Sequence, residues 1–341
     1  VNVRRAVPAA AVTLGLLALL AWLPQYYGST QTALFARALA FAVAALGLNL
    51  LTGYNGQVSI GHGAFFGFGA YTTAILMKDH DWPFLATLPV VAVGGLLVGA
   101  AVGFPALRVK GLYLALVTLG LAALFPDLVT RFVRGTGGTT LVQIPKVTTP
   151  SWATGFAPAD DQWRYYLVLA VAVVMLLLAW NLVRGRFGRA LIAVREHEAA
   201  AATVGIDLAR VKVSAFAISA AFAAVAGSLL TLTTGLANAD RVGTFQLSID
   251  FLVIIVIGGI GTVIGPVVGA WLFVFLEDWT KQVFPDTPLL SPAIFGIALI
   301  LFVYVLPDGI VGGTRRLLAR LRRPAGAGPP AAPGTRPAVE T

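Results

Sequence analysis

Cysteine is absent from this chain of 341 residues, which excludes disulfides, thiolate metal sites and cysteine nucleophiles. Charge is scarce: Asp, Glu, Lys and Arg make up 11% of the residues, against about 25% in ordinary soluble domains. No G-x-x-x-x-G-K-[ST] run is present to cradle phosphates, so the chain offers no ATPase site of that type. Histidine occurs only as His62, His80 and His197. His197-Glu198 begins a zinc-binding pattern, but H-E-x-x-H needs a second histidine where Ala201 stands. Neither a metal nor a cofactor is expected.

What is abundant is apolar. Hydrophobic residues make up 58% of the chain and the mean hydropathy is +0.85, the composition of a polytopic membrane protein. Apolar runs place candidate helices at 6–23, 33–52, 58–77, 84–107, 111–129, 164–183, 212–234, 249–264, 265–283 and 292–307. The fold class expected is all-α, a transmembrane bundle of about ten spans of roughly 20 residues each. Gly265-Pro266 is the ambiguous joint, marking either a turn between two spans or a kink in one. The net charge of +9 does not point to nucleic acid, because the bases fall between hydrophobic runs. Alternating sides from a cytoplasmic N-terminus puts Arg4, Arg5, Arg108, Lys110, the bases of 184–212 and those of 315–323 inside, as the positive-inside rule requires. The expected organisation is a membrane domain over 1–323 and a Pro-, Ala- and Gly-rich tail over 324–341 that buries too little apolar surface to fold alone.

The segment from Ala42 to Met77 is apolar enough for a bilayer yet holds Gly53, Gly56, Gly61, Gly63, Gly67 and Gly69. Each glycine inside a helix costs roughly 1 kcal/mol relative to alanine. Two reasons for accepting that cost stay open: close packing through small residues, or broken helices along a polar path. Asn49, Asn55, Gln57, Ser59 and His62 lie among these glycines. A second small-residue ladder, Gly95, Gly99 and Gly103, reads as packing, and a third runs through Gly261, Gly265 and Gly269. Asp250, at the start of a span, either caps a helix or touches substrate.

Between the sixth and seventh spans, Arg184 to Lys212 is the long charged loop assigned to the inside. It reads as one short helix, alanine-rich from Ala190 to Thr203 and stopped by Gly205, with Asp207 capping the next turn.

Four segments together resemble the permease subunits of ABC importers for branched-chain amino acids, in their LivM-like branch: Gly47 to Tyr71, Gly111 to Leu119, Gly188 to Ile206 and Ile257 to Ala270. The resemblance implies a non-enzymatic, multi-pass subunit of the bacterial inner membrane, partly re-entrant in its glycine-rich segments, and the charge bias puts both termini on the cytoplasmic side. The resemblance implies partners as well: a second permease subunit, two cytoplasmic ATP-binding subunits, an extracytoplasmic substrate-binding protein and the lipid bilayer. By the same likeness Arg195, Glu196, His197, Glu198, Ala200, Ala201, Gly205 and Ile206 form the region that couples to the ATPase. The family's loop pattern places a glutamate directly before the alanine pair; here Ala199 holds that position and Glu198 is displaced by one. The path would run between the two permeases, with Asn49, Gln57, Ser59, Gly61, His62, Gly63, Tyr71, Tyr113 and Thr118 as its candidate lining. The implied cargo is leucine, isoleucine and valine. Urea or short amides are the alternative, and a gradient-driven carrier is the rival class, for which Asp127, Asp250, Glu277 and Asp278 are the acids to watch.

Overall fold

The computed structural model describes residue 20 and residues 22–106, 112–132, 141–284, 290–306 and 308–321. Most of the expected span at 6–23 and the tail from Pro324 lie outside the described residues. In chain order the helices are α1 (Ser29–Leu48), extended by a π turn (Asn49–Tyr54), α2 (His62–Asp79), α3 (Phe84–Ala106), α4 (Leu112–Phe132), α5 (Asp160–Arg184), α6 (Arg186–Glu196), α7 (Glu198–Thr203), α8 (Leu208–Thr234), α9 (Phe245–Gly258), α10 (Gly265–Val283), α11 (Leu290–Val305) and α12 (Gly309–Leu321). Two short strands, β1 (Leu141–Gln143) and β2 (Leu236–Asn238), pair antiparallel with Val142 opposite Ala237. Three-residue strands are too short to show a period in the sequence, so the all-α expectation missed them.

A helix stands at nine of the ten expected places. Five of them are long and apolar enough to cross a membrane unaided: Ser29–Tyr54, Phe84–Pro105, Tyr113–Arg131, Asp160–Arg184 and Leu208–Thr234. The others fall short for physical reasons. α9 and α11 have 14 and 16 residues, which at about 1.5 Å per residue do not reach across a ~30 Å hydrocarbon core. α2 carries His62, Lys78 and Asp79, and α10 carries Glu277, Asp278 and Lys281.

The bundle is built around α1 and α8, whose apolar windows are 89% and 78% buried, against 22–28% for the other three spanning-length helices. Small residues let neighbouring backbones close on α8. Along α3, Gly95, Gly99 and Gly103 face Ala224, Ala220 and Phe216 of α8, where an added Cβ would come within 2.8, 2.5 and 3.0 Å of the facing Cβ atoms. Where α2 crosses α8, Gly69 lies on the Ala224 carbonyl and Gly227 on the Phe66 carbonyl, while Thr73 Oγ1 donates to Ser228 Oγ at 2.6 Å. The α3 ladder is a packing feature, as its spacing suggested.

The Gly265-Pro266 joint is a turn. Gly258 meets the Gly265 backbone and Gly269 meets the Ile254 carbonyl, a pairing that only antiparallel helices make. Pro266 stands in the first turn of α10, where its missing N–H leaves no bond unmade. The single helix expected over 190–203 is in fact two. His197 is extended (φ −157°, ψ 98°) and its Nδ1 accepts the Ala200 N–H, so it ends α6 and caps α7.

Glycine contacts divide sharply in their consequences. Gly227→Ala drives a methyl into the α2 backbone and is expected to cost on the order of 1–3 kcal/mol. Gly120, inside α4, has nothing within 4 Å of an added Cβ, so Gly120→Ala should add about 1 kcal/mol of helix stability. Thermal unfolding of the two variants in detergent, measured by circular dichroism, should move in opposite directions from the parent.

A cleft between the glycine-rich segment and the charged loop

At the end of α1 the backbone leaves its regular ladder. A π turn occupies Asn49–Tyr54, Gly56 turns the chain at φ +76°, and α2 does not begin until His62. Backbone groups released in this stretch need partners away from water, and side chains from three other helices supply them. Thr118 Oγ1 of α4 accepts the Ile60 N–H at 3.0 Å, and Ser248 Oγ of α9 accepts the Gly63 N–H at 2.8 Å. Ser219 Oγ of α8 donates to the Gly47 carbonyl at 2.6 Å. That hydroxyl has one proton, so its 3.2 Å contact with His62 Nε2 makes the imidazole the donor there. His62 Nδ1 is buried with no hydrogen-bond partner among the described residues.

Asn49 ties this segment to the α9–α10 turn. Its Nδ2 donates to the Thr262 carbonyl at 2.8 Å and its Oδ1 accepts the Gly261 N–H at 2.9 Å. Arg195, at the end of α6, reaches the same junction. Its Nη1 donates to the Gly53 carbonyl at 2.5 Å, its Cγ would lie 2.8 Å from a Cβ on Gly56, and its Nη1 3.5 Å from one on Gly261. One guanidinium therefore connects the charged loop to the unwound end of α1, and Asn49 connects that end to the α9–α10 turn.

The loop itself is held by local chemistry. α7 ends in a Schellman arrangement, with Ile206 N–H on the Ala201 carbonyl at 3.1 Å and Gly205 N–H on the Ala202 carbonyl at 3.0 Å. Gly205 takes φ +84° with open space around it, so its requirement is conformational rather than steric. Asp207 Oδ1 caps α8 through the Arg210 N–H at 3.1 Å. Glu198 pairs with Lys212 at 2.6 Å. Between loop and glycine-rich segment lies a cavity of about 460 Å³, lined by Asn55, Gln57, Leu114, Arg195, Glu196 and His197 among others.

The residues proposed for the path are distributed unevenly. Asn49, Ser59, His62, Tyr71 and Thr118 are buried, and all but Tyr71 cluster where the glycine-rich segment meets its neighbours. Gly61 and Gly63 lie against the carbonyls of Thr118 and Thr244, which accounts for both glycines by packing. Gln57 lines the cavity and its Oε1 accepts from Asn55 Nδ2 at 2.7 Å. Tyr71 packs near Phe125, with ring centroids 6.1 Å apart. Tyr113 is 71% exposed on the outer face of α4, away from the others. Of the coupling candidates, Arg195, Glu196, His197 and Glu198 line the cavity, Ala201 is buried, Ile206 is half-buried and Ala200 and Gly205 are exposed. The sequence pattern did not single out Ser219 and Ser248. Their signal was a hydroxyl inside, or at the edge of, a long apolar run. Among the described residues no group of three His, Cys, Asp or Glu is placed to hold a metal ion.

Five spanning-length apolar helices, with a charged loop tied to an unwound helix end, define a multi-pass membrane protein. Comparison with known proteins makes this specific. The family described as "Branched-chain amino acid transport system / permease component" matches residues 31–303. The chain is 33% identical over 297 residues to the high-affinity branched-chain amino acid transport system permease protein LivM of Escherichia coli, covering 81% of this chain and 69% of that protein. It is 27% identical to LivH of the same organism, covering 80% and 91%. To a probable branched-chain amino acid transport permease protein LivM of Methanocaldococcus jannaschii it is 24% identical, covering 67% and 71%. The chain belongs to this family of branched-chain amino acid ABC transport permeases, on its LivM-like side. No solved structure matches it.

Removing the Asn49 side chain strands the Gly261 N–H and the Thr262 carbonyl, each at a cost of about 1–3 kcal/mol when buried. Asn49→Ala is therefore expected to speed amide exchange at residues 259–264 by tenfold or more, read by hydrogen–deuterium exchange, while α3 and α8 keep their protection.

Proposed function

We propose that this chain is one of two permease subunits of a binding-protein-dependent ABC importer that moves leucine, isoleucine and valine inward across the bacterial inner membrane, driven by ATP hydrolysis in separate subunits. The cargo is the one named for the relatives LivM and LivH. In this reading both termini are cytoplasmic, residues 1–323 form the membrane domain with about ten spans, and the irregular stretches at 53–61 and 259–264 are partly re-entrant.

The observation that carries the mechanism is the hydrogen bond from Arg195 to the Gly53 carbonyl. The loop of α6 and α7 docks on an ATPase subunit through its exposed tip, where Val204 is 75% exposed beside Ala200 and Gly205. When nucleotide draws the ATPase subunits together, displacement of the loop pulls on Arg195. The pull passes to the unwound end of α1 and, through Asn49, to the α9–α10 turn. Glu198 and Lys212 keep α7 fixed to the start of α8, so the tip moves as one piece with α8.

The test is uptake of labelled leucine, with labelled urea in parallel, by proteoliposomes holding this chain and its partner subunits. Leucine uptake that vanishes with a hydrolysis-defective ATPase supports the reading. Urea uptake with the same dependence changes the cargo, and uptake indifferent to the ATPase overturns the transporter class. Arg195→Ala should lower leucine uptake at least tenfold while basal ATP hydrolysis continues. Gly205→Val, which puts a β-branched residue into the left-handed region at about 1–2 kcal/mol, and Glu198→Lys, which faces Lys212 with a like charge, should lower both uptake and transport-stimulated hydrolysis without loss of membrane insertion. Normal uptake in all three would remove the coupling role.

A further inference from the structure

The turn between α9 and α10 has a third neighbour besides Asn49 and Arg195. Gly309, at the root of α12, takes φ +69° and lies so close that an added Cβ would stand 2.5 Å from the Gly259 nitrogen and 2.6 Å from its Cα. Beside it Arg316 Nη2 donates to Asp308 Oδ1 at 2.9 Å. A cavity of about 310 Å³ lies between the turn and α12, lined by Val256, Ile260, Thr262, Asp308, Gly312 and Arg316, so positions 312 and 316 of α12 face the turn. Asn49 and Arg195 reach the same turn at Gly261 and Thr262. The root of α12 and the charged loop therefore share one end of the bundle.

The remainder of α12 has the pattern of a helix made for a boundary. At 3.6 residues per turn, positions 310, 311, 314, 317, 318 and 321 share an arc of about 120°, and all but Thr314 are Ile, Val or Leu. That arc is centred about 160° from positions 312 and 316, on the side of the helix opposite the turn. The charge around and beyond it is all positive: Arg315, Arg316, Arg320, Arg322 and Arg323 follow closely, and no acid stands between Asp308 and Glu340. With 13 residues, α12 reaches only about 20 Å and does not span a ~30 Å hydrocarbon core. α11, which leads into it, carries an exposed apolar stripe of Ile297, Ile300, Leu301 and Tyr304, the last 85% exposed. A tyrosine closing such a stripe suits the membrane–water interface, which puts the α11–α12 junction at headgroup level. Leucines on one side and arginines on the other suit the border between acyl chains and headgroups, and anionic lipid attracts bases next to a span.

We propose that α12 is a docking surface for the anionic phospholipid of the cytoplasmic leaflet. Its apolar arc enters the acyl border and its arginines meet the phosphate headgroups. Through the contact of Gly309 with Gly259, this anchoring steadies the turn on which Asn49 and the charged loop converge, and transport depends on it. The proposal rests on the orientation given above, in which the loop end of the bundle is cytoplasmic.

The complete importer, its other subunits freed of cysteine, tests this in vesicles of phosphatidylcholine alone or mixed with phosphatidylglycerol. Because this chain has no cysteine, a nitroxide on Leu318→Cys or on Ala319→Cys is a unique probe. With phosphatidylglycerol present, the ratio of collisions with oxygen, which concentrates in lipid, to collisions with a water-soluble nickel chelate should be at least threefold higher at 318 than at 319. A label at 318 shielded from both reagents, the result if another subunit covers this face, overturns the proposal. So does one equally open to the chelate at both positions. Leucine uptake should rise at least threefold when phosphatidylglycerol is added. The variant combining Arg315→Gln, Arg320→Gln, Arg322→Gln and Arg323→Gln, which spares the pair of Arg316 with Asp308, should lose that rise. An equal rise in the variant, or none in the parent, overturns the dependence of transport on this helix. If the variant does not assemble, the parent's response and the nitroxide ratios decide. Absence of leucine uptake from both vesicles would instead remove the branched-chain reading, and the nitroxide ratios need no cargo, so the two failures are distinguishable.

Discussion

Every backbone N–H and C=O that leaves a helix inside an apolar bundle must find a partner there, because neither lipid nor packed side chains can replace water. In this chain that requirement falls on the stretch between α1 and α2 and on the turn between α9 and α10. Both are met partly from within, by Thr52 on the Gln57 carbonyl and by Thr262 between the Gly259 carbonyl and the Gly265 N–H, and partly from outside. Thr118, Ser219 and Ser248 reach in from α4, α8 and α9, and Asn49 satisfies one donor and one acceptor of the α9–α10 turn at once. The irregular segments are thus defined by the helices around them. Shifting any of those helices leaves polar groups unpaired, so positions at one end of the bundle are energetically linked to one another. Such linkage is what a subunit driven by a distant ATPase would use.

Close approach of backbones is the second condition. Lipid offers apolar side chains no advantage in meeting one another, so helices in a bilayer gain mainly by contact area and hydrogen bonding, and small residues allow both. α8 meets α3 through glycines facing alanines and meets α2 through Gly69 and Gly227. The same closeness brings Thr73 to Ser228. At the loop, Gly56 gives the Arg195 side chain room to lie flat against the unwound end of α1, so its guanidinium reaches the Gly53 carbonyl. Glycine density and polar connection are therefore one feature of the fold.

How legible each feature is in the sequence depends on its range. Helix positions came from long apolar runs, and the ends of α7 and α8 came from local chemistry: Gly205 for the left-handed stop, Asp207 for the cap. The α3 ladder was legible because four-residue spacing is a property of a single helix. The break at His197 was not, since alanine-rich flanks favour a continuous helix and the interruption rests on a side chain bending back to its own backbone. The pairing of β1 with β2 joins residues almost a hundred positions apart, beyond any local pattern. Several polar residues whose position suited them to cargo, Asn49 and Thr118 among them, proved to be committed to neighbouring segments. Asp250 proved not to cap α9, and its electrostatic neighbours lie on α1 and α10.

Composition and spacing alone determined that this is a membrane-embedded helical protein without an ATPase site of the phosphate-loop kind, that its charged loop between α5 and α8 stands apart from its apolar runs, and that glycine is concentrated where backbones must come close. These properties arise from hydrophobicity, charge and backbone conformational preference, which act over a few residues and need no partner. Only the tertiary structure decided that Arg195 meets Gly53, that Asn49 holds the α9–α10 turn, and that Arg37 of α1 pairs with Glu277 of α10. Those contacts join residues 142 to 240 positions apart, and they exist because helices crossing the bundle must bury their ends and their charges against one another.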